Sequence, residues 1–254
     1  GASSPDVAVA KYIGIICFMV VLGCCRGLGG TLVSPRHLLA SAVCQLLYQL
    51  SFTFALLLTD AATALLLISL APLWAALFGV VTMDEPLPRR TVIALTLSVA
   101  SVGIVFAPRL LGARDSGADV PSIHGSLSGD LLALFTGIAQ GASLTVNRHA
   151  ALYRPDAELT LATAASSLAA TAVALYLPCY DSDDPHDFWA CTPPVWRTPA
   201  FLLLAVCDAV SVASFYTAML IAPRFITGGE VSLILLLEIV LGPLWVFLRF
   251  GDTP

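Results

Sequence analysis

Beyond its first eleven residues the chain reads as long apolar runs separated by short polar, proline- or glycine-marked intervals. Largely uncharged stretches of 17 or more residues occupy roughly 12–28, 37–58, 61–83, 90–107, 128–147, 159–178, 199–222 and 226–248. Each is long enough to cross a bilayer core of about 30 Å as an α-helix. None alternates with period two, so a membrane β-barrel is not expected. The pattern predicts an all-α fold, a polytopic membrane helical bundle with eight spans in this chain.

Composition strengthens that expectation. Of 254 residues, 58% are hydrophobic and 11% charged, against about 25% charged in a soluble domain. The net charge of −5 is mild, and no basic cluster suggests nucleic acid as a partner. A lipid bilayer and a small-molecule solute are the expected partners, with a homodimer an open option. The chain opens on Gly1 and closes on "FGDTP", without a visible signal peptide. It is read as a possible piece of a longer protein. Which membrane holds it is not indicated.

Arginines bias the orientation. The connections 26–36, 84–90, 148–158 and 223–225 hold Arg26, Arg36, Arg89, Arg90, Arg148, Arg154 and Arg224; the opposite set holds Lys11, Arg109, Arg114, Arg197 and Arg249. Positive charge in short connections marks the cytoplasmic side, which favours the first set. On the other side, Cys179 and Cys191 flank an acidic loop and are read either as a disulfide or as two free thiols.

The chain also matches itself. A shift of 167 residues lays "YQLSFTFALLLTDAATALLLISLAPLW" on "FYTAMLIAPRFITGGEVSLILLLEIVL" and carries Glu85 onto Asp252. A shift of 171 aligns the two "PLW" triplets but loses the acid match, so 167 is preferred. The copies begin five spans apart. Because five is odd, the second copy crosses the membrane in the opposite sense, an inverted repeat of five-helix units of the kind secondary transporters use. The first repeat is placed at 1–112, lacking its first span, a connecting loop at 113–127, and the second repeat at 128–254, lacking its last span. Ten spans are expected in the full protein.

These segments carry a resemblance. "LLLISLAPLWAALFGVVTMDEPLPRRTVIALTLSVASVGIVF" resembles the first-half signature of the EamA-like family within the drug/metabolite transporter superfamily, and "ITGGEVSLILLLEIVLGPLWVFLRFGDTP" resembles the second-half signature. The resemblance covers about residues 37–254. Where the family often has Glu-Pro, this chain has Glu238–Ile239 with the proline at Pro243; Ala71 precedes Pro72, and Asp252 stands where glutamate is usual. The resemblance implies a carrier rather than an enzyme, working by alternating access.

Polar residues within apolar runs are the candidate site. Charge at the bilayer centre costs about 2.5–3.5 kcal/mol on insertion scales. Glu238 and Asp208 have no cation at contact spacing on their own helices, so each faces a cavity, pairs across helices or is protonated. Both are proton-coupling candidates, with a purely structural hydrogen-bonding role as the alternative. Gln45 and Gln49, one turn apart, are substrate-binding candidates together with Gln140, Tyr216 and Glu238. The alternative for the glutamines is bonding between helices. Pro72 and Pro243 remove backbone donors in mid-span and are read as kinks. Glu230, after Gly228–Gly229, suits the positive end of a helix dipole. "GIAQG" and "GCCRG" fit the close-packing pattern. No P-loop appears, and His37, His124, His149 and His186 show no metal spacing. Neither a cofactor nor a metal is expected. The alternatives to a carrier are a membrane-embedded enzyme and a non-transporting protein on a carrier-like fold.

Overall fold

The computed structural model describes residues 4–25, 35–59, 61–84, 89–110, 127–153, 159–180, 199–235 and 237. Among these the fold is all-helical, without strands. In chain order the helices are α1 (Ser4–Cys25), α2 (Pro35–Leu58), α3 (Ala61–Ile68), α4 (Ala71–Met83), α5 (Arg89–Leu110), α6 (Leu127–Tyr153), α7 (Thr160–Tyr180), α8 (Pro199–Ile221) and α9 (Gly228–Leu235). Four described segments are long and apolar enough to cross a membrane: Pro35–Leu58, Thr63–Met83, Ser128–Tyr153 and Phe201–Arg224. A 24-residue helix spans about 36 Å, enough for the hydrocarbon core with some tilt.

The helices gather into two compact units that do not follow the sequence halves. One takes Gly1–Leu50 and His149–Arg224; the other takes Ser51–Arg148 and Phe225–Pro254. Each unit is therefore built from two segments far apart in the sequence.

In the first unit α1 packs on α7 and α8. Its core joins Val9, Tyr12, Ile15 and Met19 of α1 to Ala164, Ala170 and Ala174 of α7 and Tyr216 of α8. The α1 positions fall at spacings of three and four, the period that puts apolar side chains on one helix face. Gly14 lies where α1 meets α8: a Cβ there would collide with the Cβ of Ala209. The two backbones approach as closely as small residues permit. Helix α1 begins well before residue 12, which brings Lys11 inside it rather than into a connection.

In the second unit the apolar run 61–83 is two helices rather than one kinked helix. Pro72 stands in the first turn of α4, where its missing N–H would have had no partner in any case. The chain bridges α3 and α4 through Ser69 and Leu70, with Leu70 N–H donating to the Leu67 carbonyl at 3.2 Å, a tightened turn. Helix α5 supplies a donor to this break, the Ser98 hydroxyl reaching the Ser69 carbonyl at 3.4 Å. Helix α6 lies against the same break with its small residues. A Cβ on Gly137 would sit 3.4 Å from the Ile68 carbonyl oxygen, and one on Gly141 only 2.7 Å from the Ala75 nitrogen. The "GIAQG" pattern thus works within the bundle. Two terminations are plain: Asp84, with φ 51°, ends α4 in the left-handed region that aspartate tolerates. Before α9, Thr227 and Glu230 form a reciprocal capping box. The Glu230 carboxylate accepts from the Thr227 N–H at 3.0 Å, and the Thr227 hydroxyl oxygen accepts from the Glu230 N–H at 3.3 Å. Glu230 therefore starts its helix, as its position suggested.

Close approach at Gly14 makes a reciprocal prediction. Gly14→Ala is expected to lower the melting temperature of the purified protein in detergent by several degrees, and Gly14→Ala/Ala209→Gly to recover most of the loss by returning the space for one methyl group. Thermal melts of the two variants beside the parent check it.

Candidate functional site

Helix α2 carries its polar residues on one face. His37, Ser41, Gln45 and Gln49 follow one another at intervals of four, one helical turn each, so they form a line from the start of the helix inward. Gln45 is 3% exposed and Gln49 2%, and Ser41 is wholly buried. The Gln45 amide donates to the Ser41 hydroxyl at 3.1 Å. Four residues on, the Gln49 amide donates to Ser166 at 3.2 Å and Ser167 at 3.3 Å, both on α7. The Gln49 backbone carbonyl accepts from the Tyr12 hydroxyl of α1 at 3.0 Å. Tyr48 and Tyr216 meet edge to face, their ring centres 6.3 Å apart, and Tyr216 is 5% exposed. Four helices of the first unit therefore converge on Gln49.

Helix α7 answers with hydroxyls. Thr160, Thr163, Ser166, Ser167 and Thr171 are all buried. Their spacing keeps them on the side of α7 that meets α1 and α2. The Ser166 hydroxyl donates to the Thr163 carbonyl at 2.9 Å, and the Thr171 hydroxyl to the Ser167 carbonyl at 2.8 Å. Such back-bonding satisfies the hydroxyl hydrogen and leaves the oxygen to accept from α2. His37, near the start of α2, touches His149, near the end of α6. Buried atoms without a hydrogen-bond partner among the described residues include Gln45 Oε1 on α2 and Thr163 Oγ1 on α7; others, Trp74 Nε1, Ser143 Oγ and Ser232 Oγ, lie in the second unit. Buried polar atoms are satisfied in the great majority of cases, so each such atom marks a place where another polar group fits.

The sequence-derived candidates are placed as follows. Gln45, Gln49 and Tyr216 come together in the first unit. Gln140 is buried, at 5% exposed, on the part of α6 that belongs to the second unit. Glu238 and Pro243 lie outside the described residues, as do Asp252 and Cys191. Pro72 is buried at the start of α4. Asp208 sits on the exposed side of α8, within electrostatic reach of Lys11 on α1. Its cation comes from another helix, one of the three options open to it. The described cysteines, Cys17, Cys24, Cys25, Cys44 and Cys207, are free thiols.

Sequence reasoning missed the hydroxyl face of α7, Tyr12, and the His37–His149 contact. The first was visible in principle: Thr160, Thr163, Ser167 and Thr171 recur at three and four residues within an apolar run. The other two join residues 37 and 112 positions apart, which no local pattern encodes. Comparison with protein-family models and with curated proteins returns no match.

Interhelical hydrogen bonds in membranes are worth about 0.6 kcal/mol on average and up to about 1.7 kcal/mol. Gln49→Leu is expected to destabilise the fold at the upper part of that range, because it releases two serines at once. Ser166→Ala/Ser167→Ala in the Gln49→Leu background should then add little. A double-mutant cycle from denaturation in mixed micelles measures the coupling.

Proposed function

We propose that this chain is a secondary carrier that moves a small organic solute across a membrane by alternating access. The observation that carries the reading is the buried polar line of the first unit: Gln49 on the α7 hydroxyls of Ser166 and Ser167, Gln45 on Ser41, and Gln45 Oε1 and Thr163 Oγ1 without a partner among the described residues. A solute bearing hydroxyl, amide or amine groups would supply the missing partners, and Tyr48 and Tyr216 offer it aromatic edges. Midplane groups of this kind, on helices that span the bilayer, are where carriers bind their cargo.

Three further features support the reading. The helix pair α3–α4 is discontinuous, the form that carriers use to place backbone polar groups at membrane depth. Helix α3 starts at Ala61 and α9 at Gly228, 167 residues apart, each after a long helix and a tight turn. That is the offset at which the sequence matches itself, in keeping with an inverted repeat and ten spans in the complete protein. The order of motifs resembles the EamA-like family of drug/metabolite transporters. Within this reading Glu238 is the proton-coupling residue. Asp208, with Lys11 beside it, serves to tie α8 to α1.

Reconstitution tests the proposal. Purified protein in proteoliposomes is expected to show saturable uptake of a radiolabelled metabolite, stimulated by the same metabolite inside, when a panel of neutral polar solutes is screened. Gln45→Leu should raise the half-saturating concentration at least tenfold without changing the melt. Glu238→Gln should flatten the pH dependence of uptake. Product formation without any flux would instead establish a membrane-embedded enzyme and end the carrier reading.

A further inference from the structure

The line of polar residues on α2 starts at a pair of imidazoles. His37 Nε2 and His149 Nδ1 lie 3.1 Å apart, a hydrogen bond in which one ring donates and the other accepts. The rings are nearly parallel, tilted by 24° with centres 5.2 Å apart, and Tyr153 stacks on the far side of His149 with ring centres 4.4 Å apart. The second nitrogen of His37, Nδ1, is buried and has no partner among the described residues. On the same face of α2, one turn further in, stands Ser41, and beyond it Gln45 and Gln49. His149 is only half-buried.

We infer that His37 and His149 form a proton relay between the aqueous surface and the buried polar face of α2. This function rests on the carrier reading only for its use, which is to couple proton movement to solute movement. Imidazole suits the task because it holds one proton while offering a second nitrogen to another, and its ordinary pKa lies near neutrality. The step balances without any further reagent. A proton from water binds His149 Nε2. The proton on His149 Nδ1 passes to His37 Nε2, breaking one N–H bond and making another. His37 then releases the proton on its Nδ1 toward Ser41 and Gln45. Before the next passage each ring regains its first tautomer by reorienting, since the same path run backwards would only return the proton to the surface. The Ser41 hydroxyl, one turn further in on α2, can take the proton on its oxygen while giving up its own, a step an amide cannot make.

The two rings share one hydrogen bond, so the nitrogen that carries the proton in one ring sets which nitrogen accepts in the other. Tyr153, one turn after His149 on α6, packs against its ring.

Conservative variants separate relay from packing. His37→Gln keeps a hydrogen-bonding group near the position of Nε2, and His149→Asn keeps one near Nδ1, but neither side chain can pass a proton on. Both variants are expected to retain the parent melting temperature and counterflow exchange, in which no net proton moves. Both should lose at least tenfold of the accumulation driven by an imposed pH gradient in the same proteoliposomes. Gradient-driven accumulation equal to the parent's would overturn the relay. Nitrogen-15 spectra of histidine-labelled protein read the relay without transport. In the parent the His37 and His149 signals should move together as pH falls, and His37→Gln should shift the midpoint of His149. Independent titration of the two rings, with His149 indifferent to His37→Gln, would sink the inference. Absence of counterflow in the parent would overturn the carrier reading, while the spectra would still decide whether the two rings share a proton.

Discussion

A polar atom inside an apolar bundle has no water to turn to, so it must be met by another helix, and that is possible only where backbones come close. The places of close approach in this protein are small residues. Gly14 admits Ala209 of α8, Gly137 lies over the break between α3 and α4, Gly141 abuts Ala75, and Gly229 rests on Ala76. The polar contacts follow from these approaches. With α1 drawn against α8 and α7, the Tyr12 hydroxyl reaches the Gln49 carbonyl. With α6 drawn against α4, the Thr145 hydroxyl donates to the Gly141 carbonyl at 2.9 Å and lies 3.5 Å from that of Ala75.

The two units meet the same constraint by different means. The first buries side chains that donate and accept: amides on α2, hydroxyls on α7, phenols on α1 and α8. Such groups can exchange one partner for another, so a polar solute can replace a helix–helix hydrogen bond at modest cost. The second unit buries polar side chains too, Gln140, Ser143, Thr145 and Asn147 of α6 among them, and it also accommodates backbone groups. Pro72 and the turn at Ser69–Leu70 leave carbonyls outside the regular helical ladder, and Ser98 meets one of them. A local motif, the Thr227–Glu230 box, fixes the start of α9, and a long-range hydrogen bond from the Thr59 hydroxyl to Asp130 at 2.7 Å ties the end of α2 to α6.

Much of the site was legible because it follows helical arithmetic. Gln45 and Gln49 were expected on one face from their spacing alone, and both are buried there. Glu230 read as a helix starter because acids suit the first turn, and it caps through Thr227. Pro72 was placed in mid-span from hydropathy. Apolar runs do not reveal that a helix ends at Ile68 and another begins at Ala71, since Ser69 and Leu70 are unremarkable in composition. Lys11, counted among the charges of a connection in the reading of orientation, lies within helix α1, with Asp208 of α8 within electrostatic reach.

The sequence by itself determined that the described residues are helical and which polar residues share a helix face; of its eight expected spans, four described segments are long and apolar enough to cross a membrane. Those properties are local, set by hydropathy and by the 3.6-residue period. Tertiary structure alone decided that the Gln49 amide meets Ser166 and Ser167, that His37 meets His149, and that each compact unit joins two segments far apart in the sequence. These are contacts across 112 to 118 positions for the His37–His149 and Gln49–serine pairs. They arise from how closely glycine and alanine let helices pack, which no single segment can specify.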